Sequence, residues 1–409
     1  MKKFFQTITI TLFVFFVLYY PPIIRINVLH VLTVISVVGI AGNIEARNVL
    51  KYFVGSSKLL YAIFIYSLLI FVSYSNIGGI NGLFLQCFEM PFVLFYLHCV
   101  LLKKTKHSLG DIIIYASIAQ AILAIIAFLV PSVQSFFILM FMKSGFNDIF
   151  EKMAEWRMYG FSYTLAYSMP IIQSIIASYC LYCGIKKRVI YLFAVPLIAI
   201  SSFINARTGI VIFAIGMVTV FACTIISNDV KSLFNTIFAT IILLIVPIIV
   251  GNFMSDSKTL DWLLEGTNDL NAFITGTNDY SEYSYFNYVA DENVYRIPSD
   301  FFEAIFGTGF TTMRGNSAMT SDVGFINQIW SIGIVGMLLL LTFYIVNTKN
   351  MCKYYIRNGE RHVFILGTIL ILLVSNVKGD AFSWNELTQL WLVVYTKFIY
   401  EQYKQIEKV

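Results

Sequence analysis

Apolar runs of helical length follow one another along most of this chain, separated by short polar breaks. Read by run and break, the sequence predicts twelve spans, at about 4–20, 28–44, 58–75, 84–102, 111–130, 162–183, 189–204, 208–227, 234–251, 322–346, 362–376 and 386–400. The runs at 189–204 and 362–376 are weakest, so ten to twelve spans bracket the architecture. Runs of about 16–22 residues are roughly twice the length of a barrel strand. The predicted fold class is therefore an all-α integral membrane protein.

One stretch breaks the pattern. Residues 252–321 are polar and hold ten of the chain's 23 acidic residues, with three bases, Lys258, Arg296 and Arg314. This divides the chain into a first bundle over 1–251, a large loop over 252–321, and C-terminal spans over 322–409. A second polar break lies near 131–161 and carries Lys143, Asp148, Glu151, Lys152, Glu155 and Arg157. Long loops in a compact membrane protein carry function.

Lysine and arginine orient the spans. With the amino terminus in the cytoplasm, the inner segments and span ends hold 19 of the 28 basic residues. Both termini are then inside, and both long loops are outside. Met1-Lys2-Lys3 and the apolar run behind it resemble a signal peptide, but no small-x-small cleavage site follows; Tyr19-Tyr20-Pro21-Pro22 does. A retained first span is expected.

Composition sharpens this reading in three places. The chain is 58% hydrophobic and 12% charged, against about 25% charged in soluble domains. No basic cluster exceeds three residues in a row, so no nucleic-acid partner is expected. The six cysteines all lie outside 252–321, so no disulfide frames that loop, and Cys180-x-x-Cys183 reads as helix packing.

Candidate chemistry gathers on the outer side. Trp156-Arg157 stands where the second loop returns to the membrane, and its arginine either binds a ligand or snorkels to headgroups. Asn205-Ala-Arg207-Thr-Gly209 joins two spans with almost no loop. A central arginine costs about 2.5–3.5 kcal/mol on insertion scales, less near the interface, so a charge kept there points to use. Gly266-Thr-Asn-Asp269 recurs as Gly276-Thr-Asn-Asp279, predicting two short helices that each end at glycine. Five tyrosines between 280 and 295 suit a sugar ring, and equally a loop packed on itself. A short helix is predicted over 300–306, capped by Asp300 with Glu303 as its reciprocal partner and ended by Gly307. Gly307-Thr-Gly309 then forms a turn where backbone can approach a ligand. Arg314 follows, and Asp322 opens the next span. Guanidinium groups and a glycine turn beside a bilayer suit a diphosphate head group.

With its long outer loop, Asn205-Ala-Arg207-Thr-Gly209, Phe306-Gly-Thr-Gly-Phe310 and Asp322-Val-Gly324 leading to Gly333 and Gly336, the chain resembles the O-antigen polymerases. These are polytopic bacterial inner-membrane glycosyltransferases of GT-C-like architecture. Arg314 precedes Gly324 by ten positions, and Arg157 has no glycine at the matching distance, so the family's arginine–glycine spacing is met only loosely.

The resemblance implies transfer of a growing glycan from undecaprenyl diphosphate to the terminal sugar of another lipid-linked repeat unit, at the periplasmic face, in lipopolysaccharide O-antigen biosynthesis. Undecaprenyl diphosphate leaves; neither ATP nor a nucleotide sugar is available there. Arg207 and Arg314 are the first choices to clamp the diphosphate, then Arg157 and Arg296, with Gly307 and Gly309 as binding backbone. Asp322 is the best-placed base, or else only orients its helix, and Glu89 in the fourth span comes second. No cluster of metal ligands is visible on the outer face, so neither metal nor cofactor is expected. Expected partners are the lipid-linked repeat units, membrane lipids, a flippase and a chain-length regulator.

Two alternatives stand beside this. O-antigen ligases share the topology but use a histidine in the large outer loop, whereas His30, His98, His107 and His362 all lie outside it. A lipid-linked-sugar flippase would carry charges within spans and short loops on both faces.

Overall fold

The computed structural model describes residues 2–20, 27–74, 80–143, 160–162, 167–226, 230–253, 258–277, 292–309, 323–357, 375–376, 379, 382 and 385–408. All regular structure in these residues is helical. In chain order the helices are α1 (Lys2–Tyr19), α2 (Val28–Ala41), α3 (Ile44–Ser56), α4 (Lys58–Ser73) and α5 (Asn81–Lys104). Next come α6 (Leu109–Leu129), α7 (Pro131–Lys143), α8 (Ser168–Lys186), α9 (Val189–Phe203) and α10 (Arg207–Ile226). The last are α11 (Val230–Phe253), α12 (Lys258–Thr275), α13 (Phe301–Phe306), α14 (Gly324–Arg357) and α15 (Glu386–Ile406).

Four stretches are long and apolar enough to cross a membrane: Asn81–Lys104, Leu109–Leu129, Ser168–Lys186 and Gly324–Ile356. Several further apolar helices are 10–17 residues long. Many of these helices expose large apolar side chains, among them Val38 at 71%, Val218 at 69% and Phe234 at 73%. Helices that expose large apolar side chains in this way seek lipid or a partner. Several long apolar helices thus suggest a multi-pass membrane protein. Twelve spans are not shown; the 362–376 run lies almost wholly outside the described residues.

The expected span at 28–44 is α2, which with α3 forms a bent pair that is either a broken fifth span or a re-entrant loop. α2 ends at Ala41 and α3 leaves at 114° to it. Asn43 starts α3, its side chain accepting from the Ala46 N–H at 2.9 Å. Ala46, Val49 and Phe53 are buried on one face of α3, while Glu45, Arg47 and Lys51 share the helix. This amphipathic pattern suits a helix lying along the membrane surface better than one crossing it. The break predicted over 131–161 also changes character, since its first part is the apolar helix α7, with Pro131 at its first position.

The chain packs as two compact units. The first comprises 1–13, 29–109 and 292–409, and the second 14–28 and 110–291. Aromatic residues fill the core of the first. Trp391 stacks on Tyr395 at 4.8 Å and meets Tyr344 edge-on at 4.6 Å, with Phe343 5.6 Å away. The Trp391 indole donates to Thr348, and the hydroxyls of Tyr395 and Ser57 lie 3.0 Å apart, so the polar tips are satisfied. α15 begins with a two-sided cap: Asn385 accepts from the N–H groups of Leu387 and Thr388, and the Thr388 hydroxyl accepts from Asn385 N–H.

Small residues and hydroxyls hold the second unit. Ser174 donates to the Gly209 carbonyl at 2.7 Å and lies 2.7 Å from the Ser202 hydroxyl, which itself donates to Pro170 at 2.6 Å. α8, α9 and α10 thereby approach closely, as helices do where apolar burial gives no net drive.

Candidate functional site

The tight link between α9 and α10 sets the position of Arg207. Asn205 and Ala206 both donate their N–H to the Ser202 carbonyl at 3.1 Å, closing the turn, and the buried Asn205 amide donates to Ser201. Arg207 is therefore the first residue of α10, fixed two residues before the serine-packed Gly209. Its guanidinium is met by two carboxylates from α12, in the polar segment. Nη1 donates to Asp269 at 3.4 Å and Nη2 to Glu265 at 3.2 Å.

The two acids stand four apart, so they share one face of α12. Gly266 sits on that face, and a Cβ there would come within 2.6 Å of the Arg207 Cδ. The backbone of α12 thus lies directly on the arginine stem. Burial separates the two carboxylates: the Asp269 side chain is 4% exposed and that of Glu265 48%, with Arg207 at 22%. One partner is sealed in; the other faces outward. α12 is continuous through Gly266, which corrects the expectation of two short helices. Gly266 serves close packing, and only Gly276, at φ 69°, follows a helix end.

The other half of the predicted constellation lies in the first unit. Asp300 caps α13 as expected, accepting from the N–H groups of Phe302 and Glu303 at 2.9 and 3.0 Å. The cap is one-sided among the described residues, because Glu303 returns no bond to Asp300. Gly307 ends the helix at φ 91°. The turn after it docks on α14, which is broken at Gly333, where φ is 70° and ψ 174°. A break strands carbonyls that would otherwise be bonded within the helix. Here Thr308 N–H and hydroxyl donate to Trp330 at 2.7 and 2.8 Å, and Gly309 N–H donates to Ser331 at 3.1 Å. The Tyr66 hydroxyl lies 3.0 Å from the Ile332 carbonyl and 3.1 Å from that of Phe306, sharing its proton between them. The N–H groups of this Gly-Thr-Gly turn are thus engaged by the chain itself. Arg296 is exposed nearby, its carbonyl accepting from the Trp330 indole at 2.9 Å.

Arg157, Arg314 and Asp322 lie outside the described residues, as do four of the five tyrosines between 280 and 295. Glu89 is buried in α5, where its Oε2 accepts from Thr33 at 3.1 Å and lies 2.8 Å from His30 Nδ1. Sequence reasoning passed over Glu265, Asp269, Tyr66 and Trp330. An acidic pair at i,i+4 flanking a glycine was a usable signal for the first two.

No protein-family model, no curated protein and no solved structure matches this chain.

Proposed function

We propose that the chain is an O-antigen polymerase. It would transfer a growing glycan from undecaprenyl diphosphate to the terminal sugar of a second lipid-linked repeat unit, on the periplasmic side of a bacterial inner membrane. In this reading the helices form a GT-C-like bundle of about twelve spans, and the polar segment 252–321 is periplasmic. The observation that carries the reading is Arg207, held at the head of an apolar helix by a helix from the polar segment. Such a guanidinium is permanently charged and offers paired donors to phosphate oxygens. Stabilising charge on the departing diphosphate lowers the barrier to breaking the glycosidic bond. Tethering both substrates in one membrane supplies orientation. Arg314, Arg157 and Arg296 are the further candidate clamps, and Asp322 stays a candidate to orient the span it opens.

The test uses purified full-length protein in lipid nanodiscs with a short-chain lipid-diphosphate repeat unit. A ladder of lengthened products is the expected result. Transfer only to lipid A–core would identify a ligase, and flipping in liposomes without transfer a transporter; either outcome overturns the proposal.

A further inference from the structure

The two carboxylates beside Arg207 differ in one respect that matters for chemistry: Asp269 is sealed from solvent and Glu265 is not. A diphosphate needs the same guanidinium donors that these acids now take. The buried partner has almost no solvent to take over its charge if it leaves, so its departure is the costlier one. The exposed partner can leave, because water takes over its solvation. In the glycosyl-transfer reading, incoming phosphate oxygens would replace Glu265 on Nη2, while Asp269 would keep Nη1 and the orientation of the group.

Resting on the glycosyl-transfer reading above, we propose that Glu265 is the general base for the acceptor and Asp269 the residue that positions Arg207. A carboxylate displaced from Nη2 by the diphosphate stays on the helix face beside it. The anomeric carbon to be attacked is bonded to that diphosphate. The acceptor hydroxyl gives its proton to a Glu265 oxygen as its own oxygen bonds to the anomeric carbon. The anomeric carbon–phosphate oxygen bond breaks, and its electron pair leaves on the diphosphate, held by Arg207. Protonated Glu265 returns its proton to water, and charge and atoms balance with no further reactant. Gly266 fits this assignment, since its lack of a side chain lets the helix bearing Glu265 lie against the arginine stem.

The experiment follows chain lengthening as kcat/KM against pH for wild type, Glu265→Gln, Glu265→Asp and Asp269→Asn, each checked for monodispersity. For Glu265→Gln the expected loss is about 10²–10⁴-fold, with the rise in rate on the acidic side abolished and donor KM lowered, because the carboxylate that competes for Nη2 is gone. Glu265→Asp should recover part of the rate and that rise. Asp269→Asn should raise donor KM and keep the pH profile. Glu265→Gln with wild-type rate and profile would overturn the base assignment alone, provided wild type lengthens chains. A wild type that lengthens nothing would overturn the transfer reading, and this assignment with it.

Discussion

Arg207 and Asp269 are interdependent, and substitutions at either must be read accordingly. Arg207→Ala removes the guanidinium from a carboxylate whose side chain is 4% exposed. Removing one partner of a buried pair costs about 3–5 kcal/mol, most of it from the charge left behind. Because the pair here is long at 3.4 Å and Arg207 is partly exposed, the low end of that range is expected. Arg207→Ala should lower thermal stability in detergent, and adding Asp269→Asn should restore most of it without restoring chain lengthening. A double variant no more stable than Arg207→Ala would show that the two side chains are not coupled. The comparison separates loss of a clamp from loss of fold, which Arg207→Ala alone confounds.

At the scale of elements, two junctions carry much of the first unit. In α14, Gly333 adopts a backbone conformation that a side chain disfavours, and an added Cβ would stand 2.2 Å from the Ile305 carbonyl oxygen. Gly333→Ala should therefore cost about 3 kcal/mol and displace the Gly307–Gly309 turn. Hydrogen exchange at Thr308 and Gly309 would report the displacement; unchanged protection there would refute it. The second junction ties α3, α5 and α15 through Glu45. Its carboxylate meets Lys103, the Lys404 ammonium at 2.8 Å and the Tyr400 hydroxyl at 3.0 Å. Partial burial pushes the Glu45 carboxyl up, but the hydrogen bonds from Lys103, Lys404 and Tyr400 outweigh it and hold the group down at about 2. The ordinary value is 4.5, so the stabilisation is complete above that pH and is lost as pH falls toward 2. Solvent screens both lysines, which limits the contribution to about 1 kcal/mol. The stability difference between wild type and Glu45→Gln should be present at pH 7 and close between pH 4.5 and 2. A difference that stays constant across that window would remove Glu45 as its source.

For the whole molecule, the proposed orientation is open to direct test. The five cysteines of described side chain, Cys87, Cys99, Cys180, Cys183 and Cys352, are all buried, which limits their labelling by a polar reagent. Thr277→Cys lies at the exposed end of the acidic helix and Lys106→Cys on an exposed turn at the lysine-rich end of α5. In intact cells with a permeable outer membrane, an impermeant maleimide should label position 277 and leave 106 unlabelled until the inner membrane is opened. The reverse pattern would place the acidic segment in the cytosol, away from the lipid-linked donor, and end the polymerase reading.

The sequence by itself determined what depends on near neighbours along the chain. Hydrophobic runs locate helices because a helix satisfies its own backbone. The Asp300 cap and the Gly307 stop were legible because each acts within about one turn. Arg207 stood out because a charge between two apolar runs is conspicuous without knowing its partner. Tertiary structure alone decided which acids meet that arginine, since Glu265 and Asp269 are 58 and 62 residues away, among ten acids in one polar segment. It also decided that Gly266 lies inside a helix while Gly276 follows the end of one, although both open the same four-residue motif. The break at Gly333 belongs to the same class. It is stabilised by groups brought from distant segments, and that long-range pairing is what a pattern of neighbours does not encode.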